Sequence, residues 1–591
     1  DIGDTSQIAT AEESSDFTPA DAINDTDIQK ITEKKSVLDE SDIIYMILTD
    51  RFYDSDSSNN GTLGVEYRPG ELKYTQGGDW NGITQKLDYI KDLGVTAIWI
   101  SPPSENELLS RDGEESGYHG YFTHNYNSAD PHYGTKEDLI NLVSTAHEKG
   151  LKVILDVVPN HTADYFNGSS STYDSDSYQP AAPFNNPDWY HHFGDNTEWS
   201  DENQVLNYDL GGLDDLNQDN PDARQAIKDA YKAWVEDTGA DGVRIDAARS
   251  LPKDFIQEFE NYLGVPSFGE IFVGDVDYVS DFSNYEWGVL DFPLFFQARE
   301  VFAHDASFTT VKSIFDQDSK YNDVNHLVTF IDNHDRDRFL CLADDNYQKL
   351  RLALTFIFTV RGIPDVYYGT EQNCYGGGVP TEWAGIANKE NREVMPGFDE
   401  DGITFKYIQR LTELRKEYAC LQTGTQREMW AEDNIYAFSR RDDSNGQEII
   451  SVFNNGTSNE TRAIPLRAES SLAVGTTLTN LLDTSVTATV EAGGITGKVL
   501  NLTIPAKTAW VFTADNVADY APPARTVTTI RVHYDVGLGN TMYLRGSDYP
   551  LTWDSGRSML NVSSDVWVYE TERIGKGESF ELKPLINDTT W

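Results

Sequence analysis

Gly242-Val243-Arg244-Ile245-Asp246-Ala247-Ala248-Arg249-Ser250 is the stretch on which the fold turns. Val243 to Ile245 is a short apolar run carrying one charge, and Asp246 ends it. Pro252 then opens a helical period. Side chains two apart on a strand share a face, so Arg244 and Asp246 point the same way. A guanidinium beside a carboxyl favours the ionised form, which predicts a lowered pKa for Asp246. A carboxylate kept charged at a strand end suits a nucleophile. The same two residues could equally be a structural ion pair, and the flanking sequence must decide.

Working outward, apolar strands alternate with helical periods. Strands are expected at Ile43 to Leu48, Ala97 to Ile100, Val153 to Val157, Val243 to Ile245, Ser267 to Glu270, Leu327 to Ile331 and Asp365 to Tyr368, with a weak one at Val289 to Asp291. Helices are expected at 82–93, 136–149 (stopped by Gly150), 222–238, 252–263, 309–318, 347–360 and 404–417. Strand–helix units in this number predict an α/β fold, a (β/α)8 TIM barrel over residues 39–418. The stretch from about 162 to 212 is too long for a loop and predicts a small irregular domain inserted after the third strand. After 419 short alternating runs between Gly, Asn and Asp turns predict an antiparallel β domain to 516. Residues 517–526, with Pro522-Pro523, read as a linker, and 527–591 as a further β module that ends abruptly in a strand. Residues 1–38 read as a polar leader.

The chain has 591 residues, and 46 Lys+Arg against 98 Asp+Glu give a formal charge of −52. Such a surface repels nucleic acid and anionic membranes. No apolar run approaches the roughly 20 residues of a membrane span. Cys341, Cys374 and Cys420 are too few for a disulfide framework or a metal cluster. The start at Asp1 is what a processed secreted protein would show, so an extracellular location and a monomer are the expectation.

Active sites of such barrels gather at the carboxyl ends of the strands. There the sequence places Asp156, Asn160 and His161, then Arg244 and Asp246, then Glu270, then His334 and Asp335. Carboxylates crowded together repel, so at least one should keep its proton near neutrality. One ionised and one protonated carboxyl is what glycoside hydrolysis requires. An acidic cluster can also hold Mg²⁺, but the arginine and two histidines disfavour a cation there.

Asp156-Val-Val-Pro-Asn-His161, Gly242-Val-Arg-Ile-Asp246, Phe268-Gly-Glu270 and Phe330-Ile-Asp-Asn-His-Asp335 resemble, in order, the four signature segments of the α-amylase family. The resemblance covers about 40–515. It implies that Asp246 is the nucleophile, Glu270 the general acid/base and Asp335 a stabiliser of the transition state. It implies sugar contacts from Tyr121, His161, Arg244, His334, Asn388 and Arg392, with starch and maltooligosaccharides as substrates. Three departures stand out: Ser250 where many amylases carry His, Arg249 where they carry Lys, and Phe122 in place of a common Trp.

The resemblance also implies one or two Ca²⁺ ions, held by oxygen ligands. Asn160, Asp215 and the Ser250 carbonyl match the family's site between the barrel and its insertion. Asp54, Asp56, Asn59, Asn60, Gly77 and Asp79 resemble a second site, found in cyclodextrin glucanotransferases and related amylases. Those transferases usually carry two domains before their starch-binding one, and these are missing here, which favours hydrolysis; a non-catalytic member is disfavoured because all three acids are present. Residues 527–591 resemble starch-binding modules more loosely. With Trp553, Trp567 and Trp591 as stacking candidates, the expectation is a granule anchor whose removal leaves soluble catalysis unchanged.

Overall fold

The computed structural model of the chain describes residues 37–175, 178–376, 389–547, 551–574 and 577–589. Most of the polar leader, Asn388 and Trp591 lie outside these residues. Eight parallel strands close into a barrel: β1 (Ile44–Ile47), β2 (Ala97–Ile100), β3 (Lys152–Val157), β4 (Gly242–Ile245), β5 (Ser267–Gly269), β6 (Gly288–Leu290), β7 (Leu327–Thr329) and β8 (Ile363–Tyr367), with β1 paired to both β2 and β8. The strands are buried on both faces because helices cover the outside, so they read as continuous apolar runs. The weak sixth strand is present.

Local chemistry fixes the helices that carry this wall. Pro221–Thr238, the helix before β4, is capped by Asn220, which accepts from the N–H groups of Asp222 and Ala223, and it ends at Gly239 with φ 81°. Ile227, Tyr231, Trp234 and Val235 form its buried stripe. Trp234 donates its indole N–H to the Tyr126 carbonyl at 2.7 Å, tying the helix to the hairpin of Ser104–Asn106 and Thr123–Ala129. That hairpin was not expected, since its polar strands alternate poorly. The helix Phe292–His304 was not expected either. It is apolar on nearly every face, so no 3.6-residue period marks it. The expected helix 82–93 is two, Trp80–Gln85 and Leu87–Leu93.

Between β3 and the 221–238 helix the chain is irregular, its described residues including a 3-10 turn, Pro187–Trp189, a short helix, Glu202–Asn207, and several isolated bridges. Beyond the barrel come β9 (Thr425–Ala431), β10 (Ile435–Arg441), β11 (Glu448–Asn454), β12 (Glu460–Pro465), β13 (Thr477–Asn480), β14 (Thr487–Ala492), β15 (Lys498–Ile504) and β16 (Thr508–Thr513), in the spatial order β9-β10-β11-β16-β13-β14-β15-β12. Tyr436 on β10 stacks on Phe308 of the barrel layer at 5.5 Å. The last module has two three-stranded sheets. β17 (Thr528–His533) and β20 (Leu560–Ser563) flank β21 (Val566–Thr571), while β18 (Met542–Gly546) lies between β19 (Arg557–Ser558) and β22 (Leu582–Ile586). Trp567 is in that module's core with Met542, Leu544, Leu551, Met559 and Tyr569, so it stacks on no external sugar. Trp553 is 46% exposed. All three cysteines are buried, and none forms a disulfide among the described residues.

Candidate active site

Strand register brings the acids together. Asp156 on β3 pairs with Arg244 on β4, and Ile245 on β4 pairs with Gly269 on β5. Asp246 and Glu270 are each one residue beyond that last pair, so they emerge side by side. The ladder continues past the strands: Asp246 N–H donates to the Val157 carbonyl at 2.9 Å, and Glu270 N–H to the Ile245 carbonyl at 2.9 Å. Ala247 then turns with φ 47°, in the left-handed region that side chains other than glycine seldom enter. That turn aims its N–H at Glu270 Oε2, 3.0 Å away.

Arg244 is the hub. Its Nη1 lies 2.8 Å from Asp246 Oδ1 and 3.0 Å from Asp156, and its Nη2 is 2.8 Å from Glu270 Oε2. Asp156 also accepts from Tyr121 Oη at 2.9 Å and from the Trp99 indole at 3.1 Å. Tyr121 stacks flat on His334 at 5.3 Å. Asp335, the third acid, lies 3.2 Å from His334 Nε2 and 3.2 Å from Arg392 Nη2. His161 Nε2 is 3.9 Å from Asp246 Oδ2.

The expectation that Arg244 lowers the Asp246 pKa is reversed. Burial outweighs the arginine, and Asp156 and Asp335 add like charge, so Asp246 is pushed up to about 7. Burial pushes Glu270 up to about 7 as well, against Arg244 and with Asp246 adding to the rise. One guanidinium cannot neutralise so many buried carboxylates, and Asp246 and Glu270 together retain a proton near neutrality. For Asp335 the balance differs. Burial would raise it, but His334 and Arg392 more than offset that and hold it below the usual carboxylate range. His334 is itself pushed down to about 3 by burial and is neutral at pH 7, so the lasting positive charge acting on Asp335 comes from Arg392, with Arg244 and Lys389 adding to it. His161, pushed down to about 4 by burial, is neutral too and can donate to a hydroxyl.

The acids line a cavity of about 280 Å³ with Tyr121, His161, His334 and Arg392. Sequence reasoning missed Glu115 and Lys389 in the same lining. Lys389 Nζ is 3.0 Å from Glu115 Oε1, an ion pair between loops with no local signature. Beside Glu270 a second cavity of about 510 Å³ is walled by Trp199, Leu210, Phe272 and Arg249. Arg249 Nη2 donates to the Trp199 carbonyl at 2.8 Å, and its guanidinium is 5.3 Å over the Trp199 ring. Asn388 lies outside the described residues.

Two oxygen-rich sets were expected to hold metal. Among the described residues, Asn160 Oδ1 and Asp215 Oδ1 are buried without a hydrogen-bond partner, as ligands awaiting a cation would be. Leu216 N–H donates to the Asn160 carbonyl at 2.9 Å, holding the two segments together. Ser250 ends the short 3-10 turn Ala248–Ser250, packed on the helix Glu202–Asn207. The unpartnered oxygens of Asn160 and Asp215 fit Ca²⁺. The second set fits in part. Asn59 Oδ1 and Asn60 Oδ1 are buried and unpartnered, Asn60 bonds Asp54 at 2.8 Å, and the Asn60 side chain lies where a Cβ on Gly77 would fall. Asp56 and Asp79 depart from expectation. Asp56 Oδ1 is taken by Ser58, and Asp79 caps the helix Trp80–Gln85 while also accepting from Ser55 and the Asp56 N–H.

The alpha amylase catalytic domain family matches residues 46–401. A "Beta/alpha-amylase" of Paenibacillus polymyxa is 38% identical over 80% of this chain and 37% of its own length. A cyclomaltodextrin glucanotransferase of Niallia circulans is 36% identical over 72% of this chain and 60% of its own. This chain therefore spans less than two thirds of either relative. The crystal structure of CldA, described as a cyclomaltodextrin glucanotransferase with a three-domain ABC distribution, superposes with a TM-score of 0.72 at 31% identity, over 82% of this chain and all of that one.

Proposed function

The chain belongs to the α-amylase family of glycoside hydrolases, and on that footing we propose that it is a secreted, monomeric α-amylase cleaving α-1,4-glucosidic bonds of starch, raw starch included, with retention of configuration. The observation that carries this reading is Arg244 lying within 2.8 Å of both Asp246 and Glu270, paired with each. A single guanidinium spans the pair, which supports the short separation of retaining enzymes, about 5–5.5 Å, over the 6.5–9.5 Å of inverting ones. Asp246 then attacks the anomeric carbon while Glu270 gives its proton to the departing glycosidic oxygen. In the second half Glu270 takes a proton from water, and the resulting nucleophile releases the sugar from Asp246. Asp335, kept ionised, stabilises positive charge developing on the ring. His161 and His334, both neutral, would bond sugar hydroxyls, as would Arg392.

Ca²⁺ would be held by Asn160, Asp215 and the Ser250 carbonyl, with Asp54, Asn59, Asn60 and the Gly77 carbonyl as a partial second set. Bound there, the ion supplies charge and rigidity to the insertion.

A transferase is the second reading. The missing domains no longer argue against it, because CldA is described as a transferase built from three domains. The wall of Trp199 and Phe272 beside Glu270 favours it, since aromatic faces there can hold a sugar acceptor in place of water. Soluble starch separates the readings. Linear maltooligosaccharides of α configuration support hydrolysis, and cyclic products support transfer. A β anomer or no turnover overturns the retaining mechanism or the enzyme reading itself.

A further inference from the structure

The last β module is held to the barrel by charge, and both points it grips bear on Asp335. Arg573 Nε donates to Asp345 Oδ1 at 2.7 Å, and its Nη2 donates to the Asn373 carbonyl. Arg557 Nη1 donates to Asp344 Oδ1 at 2.8 Å, with its guanidinium 4.6 Å over the Tyr375 ring. From the barrel, Arg351 forks onto Glu572 at 2.7 and 3.2 Å, and Arg525 of the linker joins at 2.8 Å. The Asp345 and Glu572 side chains are only 1% and 8% exposed, so the Arg573–Asp345 and Arg351–Glu572 pairs escape the screening that weakens surface ion pairs, while Asp344 is 45% exposed.

Asp344 and Asp345 close the segment that leaves β7 and carries Asp335. Within it the Phe339 N–H donates to Asp332, and the Asp345 N–H to the Leu340 carbonyl at 2.8 Å. Both aspartates have left-handed backbones, φ 53° and 59°, a strained turn that surrounding contacts must hold. The second gripped loop, Asn373 to Gly376, follows β8. A Cβ on Gly376 would fall 2.6 Å from Arg338 Cγ and 3.3 Å from Asn391 Cα, so this loop is wedged against both. Asn391 Nδ2 in turn donates to the carbonyls of His334 at 2.7 Å and Arg336 at 3.1 Å, on either side of Asp335.

We propose that residues 527–589 brace the third acid of the cleft: Arg557 and Arg573 fix the two loops that position Asp335, so the module acts on catalysis as well as on any granule. The kinetic part rests on Asp335 being catalytic. An acid displaced by a fraction of an ångström loses rate more than affinity, because its interaction strengthens only in the transition state.

The test uses the full chain and loosens the brace from each side, with Arg573→Ala in the module and Asp344→Asn in the barrel. Amide exchange in residues 332–345 and 371–376 should quicken about threefold or more in the ligand-free protein. On a short soluble maltooligosaccharide, well below the melting temperature, kcat should fall about three- to tenfold with KM nearly unchanged. Arg573→Lys should recover part of that loss. Unchanged exchange in both barrel segments overturns the brace, and so does unchanged kcat. If the parent turns over no α-glucan, the functional reading fails, and the exchange measurement alone decides the brace.

Discussion

Of two buried arginine–carboxylate clusters in this barrel, the one around Arg361 and the one around Arg244, the second lines the cleft. Arg361, two residues before β8, donates to Asp318 at 2.9 and 3.0 Å and pairs with Asp291, while Arg440 contributes a second buried positive charge. Two cations face two acids there. Arg244 faces Asp156, Asp246 and Glu270 alone. The residue types are the same, and stoichiometry separates them. A balanced cluster can stay ionised and serve the fold. A cluster short of positive charge keeps protons near neutrality, which is what acid–base chemistry needs.

The largest effect should come from the unbalanced cluster. Asp246→Asn and Glu270→Gln should each lower turnover of soluble starch by about 10³-fold or more. Asp246 has a folded pKa above its unfolded value, so it costs stability as pH rises from about 4 towards 7. Asp246→Asn should therefore leave the melting temperature at pH 7 equal or higher. Arg361→Gln should do the opposite, costing about 3–5 kcal/mol of stability by leaving buried acids unpaired. Calorimetry beside initial rates checks both, and a destabilised Asp246→Asn with normal turnover would refute the comparison.

A third acidic set, Asn160 with Asp215, has no arginine in hydrogen-bond contact among the described residues, and Ca²⁺ is the cation it fits. An ion at 100 times its Kd stabilises the fold by about 2.7 kcal/mol. Excess chelator should lower the melting temperature, and added Ca²⁺ should restore it. An unchanged melting curve would count against both sets.

The smallest effect concerns Asp335. Its pKa is depressed, so its ionised form is lost only as pH falls well into the acid range. Arg392→Gln removes the cation paired with it, leaving Arg244 and Lys389, and should move the acid limb of the kcat/KM profile upward, slightly, because those cations remain and the Asp335 side chain is 32% exposed. A limb that stays in place would mean Arg392 serves binding alone.

The parts of the site legible in the sequence were those set by one strand and its next residue. Asp246 and Glu270 each directly follow a short apolar strand, and strand ends are where a barrel gathers its chemistry; Asp335, six residues past β7, was legible only through the motif Phe330-Ile-Asp-Asn-His-Asp335. Charge was misjudged because Arg244 was weighed against one carboxylate; burial and the other acids enter only once β3, β4 and β5 are in register. The Lys389–Glu115 pair spans two distant loops and has no period to reveal it. Phe292–His304 hid because its buried faces leave no polar stripe. Asp79 shows the converse. Its spacing resembles a ligand, yet a helix begins at the next residue, and the carboxylate is drawn to cap it at the Gly82 N–H three residues on.

The left-handed turn at Ala247 limits which sequences this site can drift through. Valine, isoleucine or threonine there would clash with their own backbone, while glycine, asparagine and aspartate tolerate the torsion. The latter two would add a polar group between the catalytic acids. Substitution at 247 is therefore narrowed to alanine and glycine for a torsional reason, although the side chain carries no reactive group. A deep mutational scan would record intolerance at this residue, and that intolerance would measure the shape of the main chain.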